Sequence, residues 1–277
     1  MSKLKSIYFL FKNTSVNILF WVGAFCFLAG CDESSEDQYS LHKTNKKHWS
    51  YQGETSPEYW EEIESNSECG GTRQSPINII DFNAVPTEKS EQLEFHYSSE
   101  IQLKKAINNG HTVQFEFMSG DYIIYNGTSY NLVQVHFHEH AEHLMSGVVY
   151  PVEIHLVHVS SMNTITVLSI LGKEGEESEV IELFESFLPL KMGESKTIDV
   201  KCDINQLLPL DRTYYSYSGS LTTPPCTEGV NWVVFKEPII LSLEEAQKLK
   251  SNMPLDNYRF EQPLNGRVVY LNSSNTF

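Results

Sequence analysis

The chain has 277 residues, 40% of them hydrophobic and 12% aromatic, which is ample for a packed core in one large domain or two small ones. Its formal net charge is −16, and the lysines of the first thirty residues are the only charges there, so the remainder is more acidic still. That balance excludes nucleic acid and anionic lipid surfaces as partners, since both demand basic patches.

In chain order, the first element reads as an export signal. Lys3, Lys5 and Lys12 precede the apolar run ILFWVGAFCFLAG, residues 18–30. That run is shorter than the roughly 20 residues a membrane-spanning helix needs. It ends in LAGC, which resembles the lipobox of bacterial lipoproteins. The resemblance implies cleavage after residue 30 and lipidation of Cys31. The protein is then expected to be exported, as a periplasmic or cell-surface lipoprotein that meets the membrane only through its N-terminal lipid. Residues 31–45 are polar and aperiodic, as expected of a flexible tether. Outside the cytoplasm, a disulfide between two of the remaining cysteines, Cys69, Cys202 and Cys226, is plausible, with one left over. Cysteine arithmetic does not choose the pair.

From residue 46 to 273 no repeat or low-complexity block divides the chain, so one domain is expected. Short runs rich in β-branched and aromatic residues predict strands at 93–97, 112–117, 122–125, 132–138, 152–159, 164–171 and 230–235. Turn signals lie at NNG (108–110), SGD (119–121) and NGT (126–128). Ser242 with Glu245 forms a capping-box signature opening a helix over 242–250. VIELFESFL (180–188) is a second helical candidate, and the acidic run 174–179 reads as a solvated loop. The class is mainly β, with a few short peripheral helices.

The chemistry concentrates in HFHEHAEH, residues 136–143. On a strand, His136, His138 and His140 share a face with Gln134, while His143 has the other parity. Same-face neighbours stand about 6.7 Å apart and can converge on one ion, whereas His136 and His140 would be about 13 Å apart. A third ligand must therefore come from an adjacent strand. VEIHLVHV (152–159) supplies His155 on one face and His158 on the other, and parity leaves both open. Gln134 and Glu153, each two residues from a histidine, suit acceptors for the ring N–H that does not face the metal. Three neutral nitrogen ligands favour zinc and leave a fourth position for water.

HWSY (48–51), RQSPINI (73–79), NNGH (108–111), QVHFH (134–138), EH (142–143), EIHLVH (153–158), GSLTTPP (219–225) and DNYRFEQPLNGR (256–267) together resemble the α-class carbonic anhydrases, in particular their bacterial exported members. The resemblance implies a large twisted, mostly antiparallel central sheet and reversible hydration of carbon dioxide to bicarbonate by zinc-bound hydroxide. It implies one zinc ion on His136, His138 and His155, with Gln134 and Glu153 as acceptors behind them. Thr222 would orient the hydroxide and donate to Glu142, and His111 would carry protons to solvent. Val157, Val167, Leu221 and Thr223 would form the substrate pocket, and Asn109 and Gln114 would line its polar side. Cys69 and Cys226 would pair, leaving Cys202 free. A non-catalytic relative or a periplasmic zinc-binding protein are the competing functions. The sequence departs from the bacterial pattern at His140 and Ala141, where a proline-serine pair is common, and His140 is left without a role. An oligomer is compatible with the sequence but not readable from it.

Overall fold

The computed structural model describes residues 48–273 apart from 65 and 88–92. The expected signal, tether and Cys31 lie outside the described residues. Asn45–Phe277 forms one compact unit. Among the described residues, no helix is long and apolar enough to cross a membrane.

The frame is a large mixed sheet in which antiparallel pairings dominate. From one end of its main path, strands run side by side in the order Ser195–Cys202, Ile101–Asn108, Val113–Phe117, Thr128–His138, Val152–Ser160, Ile165–Glu174, Glu228–Phe235 and Tyr214–Ser220. The pairing of Ile165–Glu174 with Glu228–Phe235 is parallel. Asn126 and Gly127 both take positive φ, 50° and 75°, and turn Tyr122–Tyr125 directly into Thr128–His138. That is the two-residue turn whose twist matches the twist of paired strands, and it is why the NG dipeptide sits there.

Alternation sorts the central strands onto two apolar layers. Val135, Phe137, Ile154 and Leu156 point into the larger core with Phe115 and Phe184. Val157 and Val167 face the other way, into a second cluster built on Tyr217 and Trp232. The Glu179–Glu185 helix buries Val180, Ile181 and Phe184. The Leu243–Asn252 helix carries the capping box formed by Ser242 and Glu245. A third cluster joins Trp49, Tyr51 and Trp60 to the Cys69–Cys226 disulfide. The disulfide implies an oxidising compartment outside the cytosol. Cys202 is free and buried.

Candidate metal centre

The site is made by register. Thr128–His138 and Val152–Ser160 pair antiparallel, with His136 opposite His155, His138 opposite Glu153 and Gln134 opposite Val157. Directly opposed residues share a face, so His155 joins His136 and His138. A register shift between Val157 and His158 follows. His158 instead lies on the core side, bonded to the Leu156 carbonyl and the Tyr97 hydroxyl at 3.0 and 2.6 Å.

Each of the three clustered histidines has one nitrogen held from behind. His136 Nδ1 donates to Gln134 Oε1 at 2.9 Å, and His155 Nε2 donates to Glu153 Oε1 at 2.7 Å. His138 Nδ1 donates to the Asn257 carbonyl at 2.5 Å. Asn257 is clamped in turn, its side chain donating to the Phe137 carbonyl and accepting from the Glu139 N–H. Burial is the leading influence lowering the pKa of all three rings. They are therefore neutral, and their outward protons leave lone pairs facing inward.

Those inward atoms form a donor set without a proton among them. The three ligand atoms lie within 4.8 Å of one another. His155 Nδ1 and His136 Nε2 face each other at 3.3 Å, the separation of two nitrogens on a tetrahedron with bonds of about 2.0–2.1 Å. His138 Nε2 is buried with no hydrogen-bond partner. Opposed lone pairs and an orphaned buried nitrogen fit a cation bound by three imidazoles.

His143, Glu153 and His155 also bring ligand atoms within 4.8 Å, but their protons are accounted for. Glu153 Oε1 accepts from His143 Nδ1, His155 Nε2 and Ser169 Oγ, and Oε2 accepts from the Glu142 and His143 backbone N–H groups. Burial alone would raise the Glu153 pKa. His143 and His155 outweigh it and hold the carboxyl well below the usual range. This is a saturated anionic anchor, and His143 continues it to the Tyr217 hydroxyl at 2.7 Å.

Glu142 is fully buried beside the triad, its Oε2 3.6 Å from His138 Nε2 and its Oε1 accepting from the Arg259 N–H. Burial raises its pKa to about 7, against smaller lowering influences that include the Thr222 hydroxyl. Glu142 Oε2 is buried with no hydrogen-bond partner of its own. Thr222 is itself buried. Its loop is tied by Cys226, whose N–H donates to the Thr223 carbonyl, and by the Pro225 carbonyl, which accepts from Glu68. Val157, Val167 and Leu221 meet in the second apolar cluster, beside the metal cluster because Val157 is two residues from His155. Thr223 is partly exposed on the same loop. Gln114 pairs in register with His136, and Asn109 donates to Gln114 Oε1 at 3.4 Å.

His111 is stacked on Trp49 with ring centroids 3.6 Å apart at 15°. Burial, with a smaller contribution from His48, pushes its pKa down to about 4. His140 follows the end of the ligand strand at His138 and is half exposed near Tyr258. The sequence reading missed Asn257, the Arg259 N–H and the His48–Trp49 flank of His111. Asn257 acts through a main-chain carbonyl, which any residue supplies, so no side-chain pattern could single it out.

The family model for eukaryotic-type carbonic anhydrase matches residues 55–273. The chain belongs to the α-carbonic anhydrase family. A carbonic anhydrase of Klebsiella pneumoniae is 40% identical over 227 residues, covering 80% of this chain and 90% of its own. The α-carbonic anhydrase of Thermovibrio ammonificans, solved with the inhibitor sulfanilamide, superposes with a TM-score of 0.77 at 40% identity, over 80% of this chain and 98% of that one. Dioscorin complexed with ascorbate has a TM-score of 0.75 at 29% identity, over 83% and 100%. The protein is a carbonic anhydrase, and hydration of carbon dioxide is the family's general activity. Zinc is the family's metal, and the histidine cluster suits it.

Proposed function

We propose that the chain hydrates carbon dioxide reversibly at one zinc ion held by His136, His138 and His155. The observation that carries this is the orphaned, buried His138 Nε2 inside a triad whose outward nitrogens are all held. Zinc, when bound there, supplies Lewis acidity that lowers the pKa of its water to about 7, an effect for which carbonic anhydrase is itself the standard case.

The chain's own groups do the rest. Gln134, Glu153 and the Asn257 carbonyl fix the tautomers and ring planes of the ligands. Thr222 donates its proton to Glu142 and presents its oxygen lone pair to the reacting water, which selects the direction of attack. Val157, Val167 and Leu221 give carbon dioxide an apolar wall from which water is excluded, and Thr223 borders it. Asn109 and Gln114 order the solvent on the polar side. His111 accepts the released proton on its way to bulk. The enzyme acts outside the cytoplasm, with residues 1–30 as signal, residues 31–45 as tether and Cys31 as lipid site; the Cys69–Cys226 bond supports the oxidising compartment.

Stopped-flow hydration of carbon dioxide, before and after zinc removal and readdition, tests the reading. The expected result is zinc-dependent turnover blocked by a sulfonamide. A protein that binds zinc without hydrating carbon dioxide would be a binding or buffering relative instead. Mass spectrometry of the mature N-terminus tests Cys31, with diacylglyceryl modification as the expected result.

A further inference from the structure

His48 carries no part in the metal cluster, yet its ring meets that of His111 head on. His48 Nε2 and His111 Nε2 are 3.3 Å apart, with ring centroids 5.3 Å apart at 54°. Trp49, the next residue, stacks on a face of the His111 ring. Both histidines line one cavity of about 460 Å³ with Tyr51, Asn109 and Met192.

We infer that His48 and His111 form a two-imidazole proton relay in which His48 is the outlet to solvent. The inference rests on His111 being the first proton acceptor. Two ring nitrogens in hydrogen-bond contact share one proton, so one ring donates and the other accepts. A proton arriving on His111 Nδ1 makes that ring a donor at both nitrogens. Its Nε2 proton then passes to His48 Nε2, and His48 releases its Nδ1 proton to water. One proton enters, one leaves, and both rings end neutral as the other tautomer, restored by ring reorientation or reverse exchange.

The surroundings favour handing the proton on over storing it. No lining residue of the cavity is a carboxylate that could trap the charge. Tyr51, the other titratable group facing His111, is buried and keeps its proton well above neutral pH. His111 at about 4 holds a proton only fleetingly near pH 7, whereas His48 is exposed and opens to solvent. The Trp49 stack fixes the plane of the first ring against the second. A ring pair so placed is geometry for transfer rather than for packing, because His48 buries little of itself.

The test is turnover of the zinc enzyme in low and high buffer for wild type, His48→Gln, His111→Ala and the double variant. Glutamine keeps a polar partner for His111 but cannot take on a proton. We expect His48→Gln to lower the low-buffer turnover about tenfold, below the 10²–10⁴ of a full acid–base group. About 50 mM imidazole should restore it, since free imidazole replaces the missing ring. The double variant should match His111→Ala alone, because the rings act in series. Wild-type or faster turnover of His48→Gln in low buffer, or a fall that imidazole does not restore, overturns the relay. If His111→Ala itself loses nothing in low buffer, the assignment of His111 as acceptor fails first, and the relay with it.

Discussion

His155 and His158 stand three residues apart on one strand, both buried, and chemistry separates them. His158 has both nitrogens satisfied, donating to the Leu156 carbonyl and accepting from Tyr97, and burial pushes its pKa down to about 3. His155 has its outer nitrogen anchored on Glu153 and its inner one facing the lone pair of His136. A buried histidine with two partners is a finished piece of core. One with a partner on one side and an opposed lone pair on the other has a nitrogen free to bind a cation. Identity of side chain and depth of burial do not distinguish them; the destination of the second nitrogen does.

Exchanging the two roles by mutation gives the largest contrast. His155→Ala should lose both zinc, measured by elemental analysis, and essentially all carbon dioxide hydration. His158→Phe should keep both and lose only stability, of about 1–3 kcal/mol for the stranded Tyr97 hydroxyl. Zinc loss in His158→Phe would erase the distinction.

Next in size is Thr222→Ala, expected to lower turnover on the order of 10²-fold with zinc retained, as for loss of one oriented catalytic hydrogen bond. Zinc loss there would place Thr222 among the ligands. Glu153→Gln tests the anchor behind His155. Its zinc dissociation constant, measured by competition with a chelator, should rise about 10–100-fold. An unchanged constant would make the His155 hydrogen bond incidental.

The smallest effect is in pH dependence. His158 titrates at about 3 in the folded chain, below the roughly 6.5 of a free imidazole. As pH falls, the unfolded chain takes up this proton first. The stability His158 contributes is thus complete above about pH 6.5 and drains toward pH 3, at up to about 1.4 kcal/mol per pH unit. His158→Phe should remove that component and flatten the urea-unfolding free energy across the window. An equal slope in both proteins would contradict the buried neutral ring.

The strands legible in the sequence were those with clean alternation. VQFEF and YIIY place every second residue in the core, with burial patterns that repeat at period two. Ile101–Asn108 was missed because its alternation breaks at Lys104 and Lys105, where the pairing with Val113–Phe117 shifts register. Ser195–Cys202 was missed because it is an end strand of the sheet's main path, with only Ile198 and Cys202 buried. Tyr214–Ser220 was missed for the opposite reason: almost all of it is buried, so no polar face marks the period. The helix over 242–250 was legible because its cap is local, two side chains and two N–H groups within four residues.

Sequence alone determined the acidic body, the β class and the convergence of His136 and His138, because strand periodicity is a local property of the backbone. It also rejected His140 as their partner, since reach along a strand is fixed. Resemblance to the family, rather than spacing, supplied His155, the Cys69–Cys226 pair and Thr222. Only the tertiary structure brought His155, and not His158, beside His136 and His138, through an interstrand register and a shift at Val157. It also supplied the Asn257 carbonyl and the His48 ring facing His111. Register, remote carbonyls and ring-to-ring contacts join residues far apart in the chain, and no local pattern of side chains encodes them.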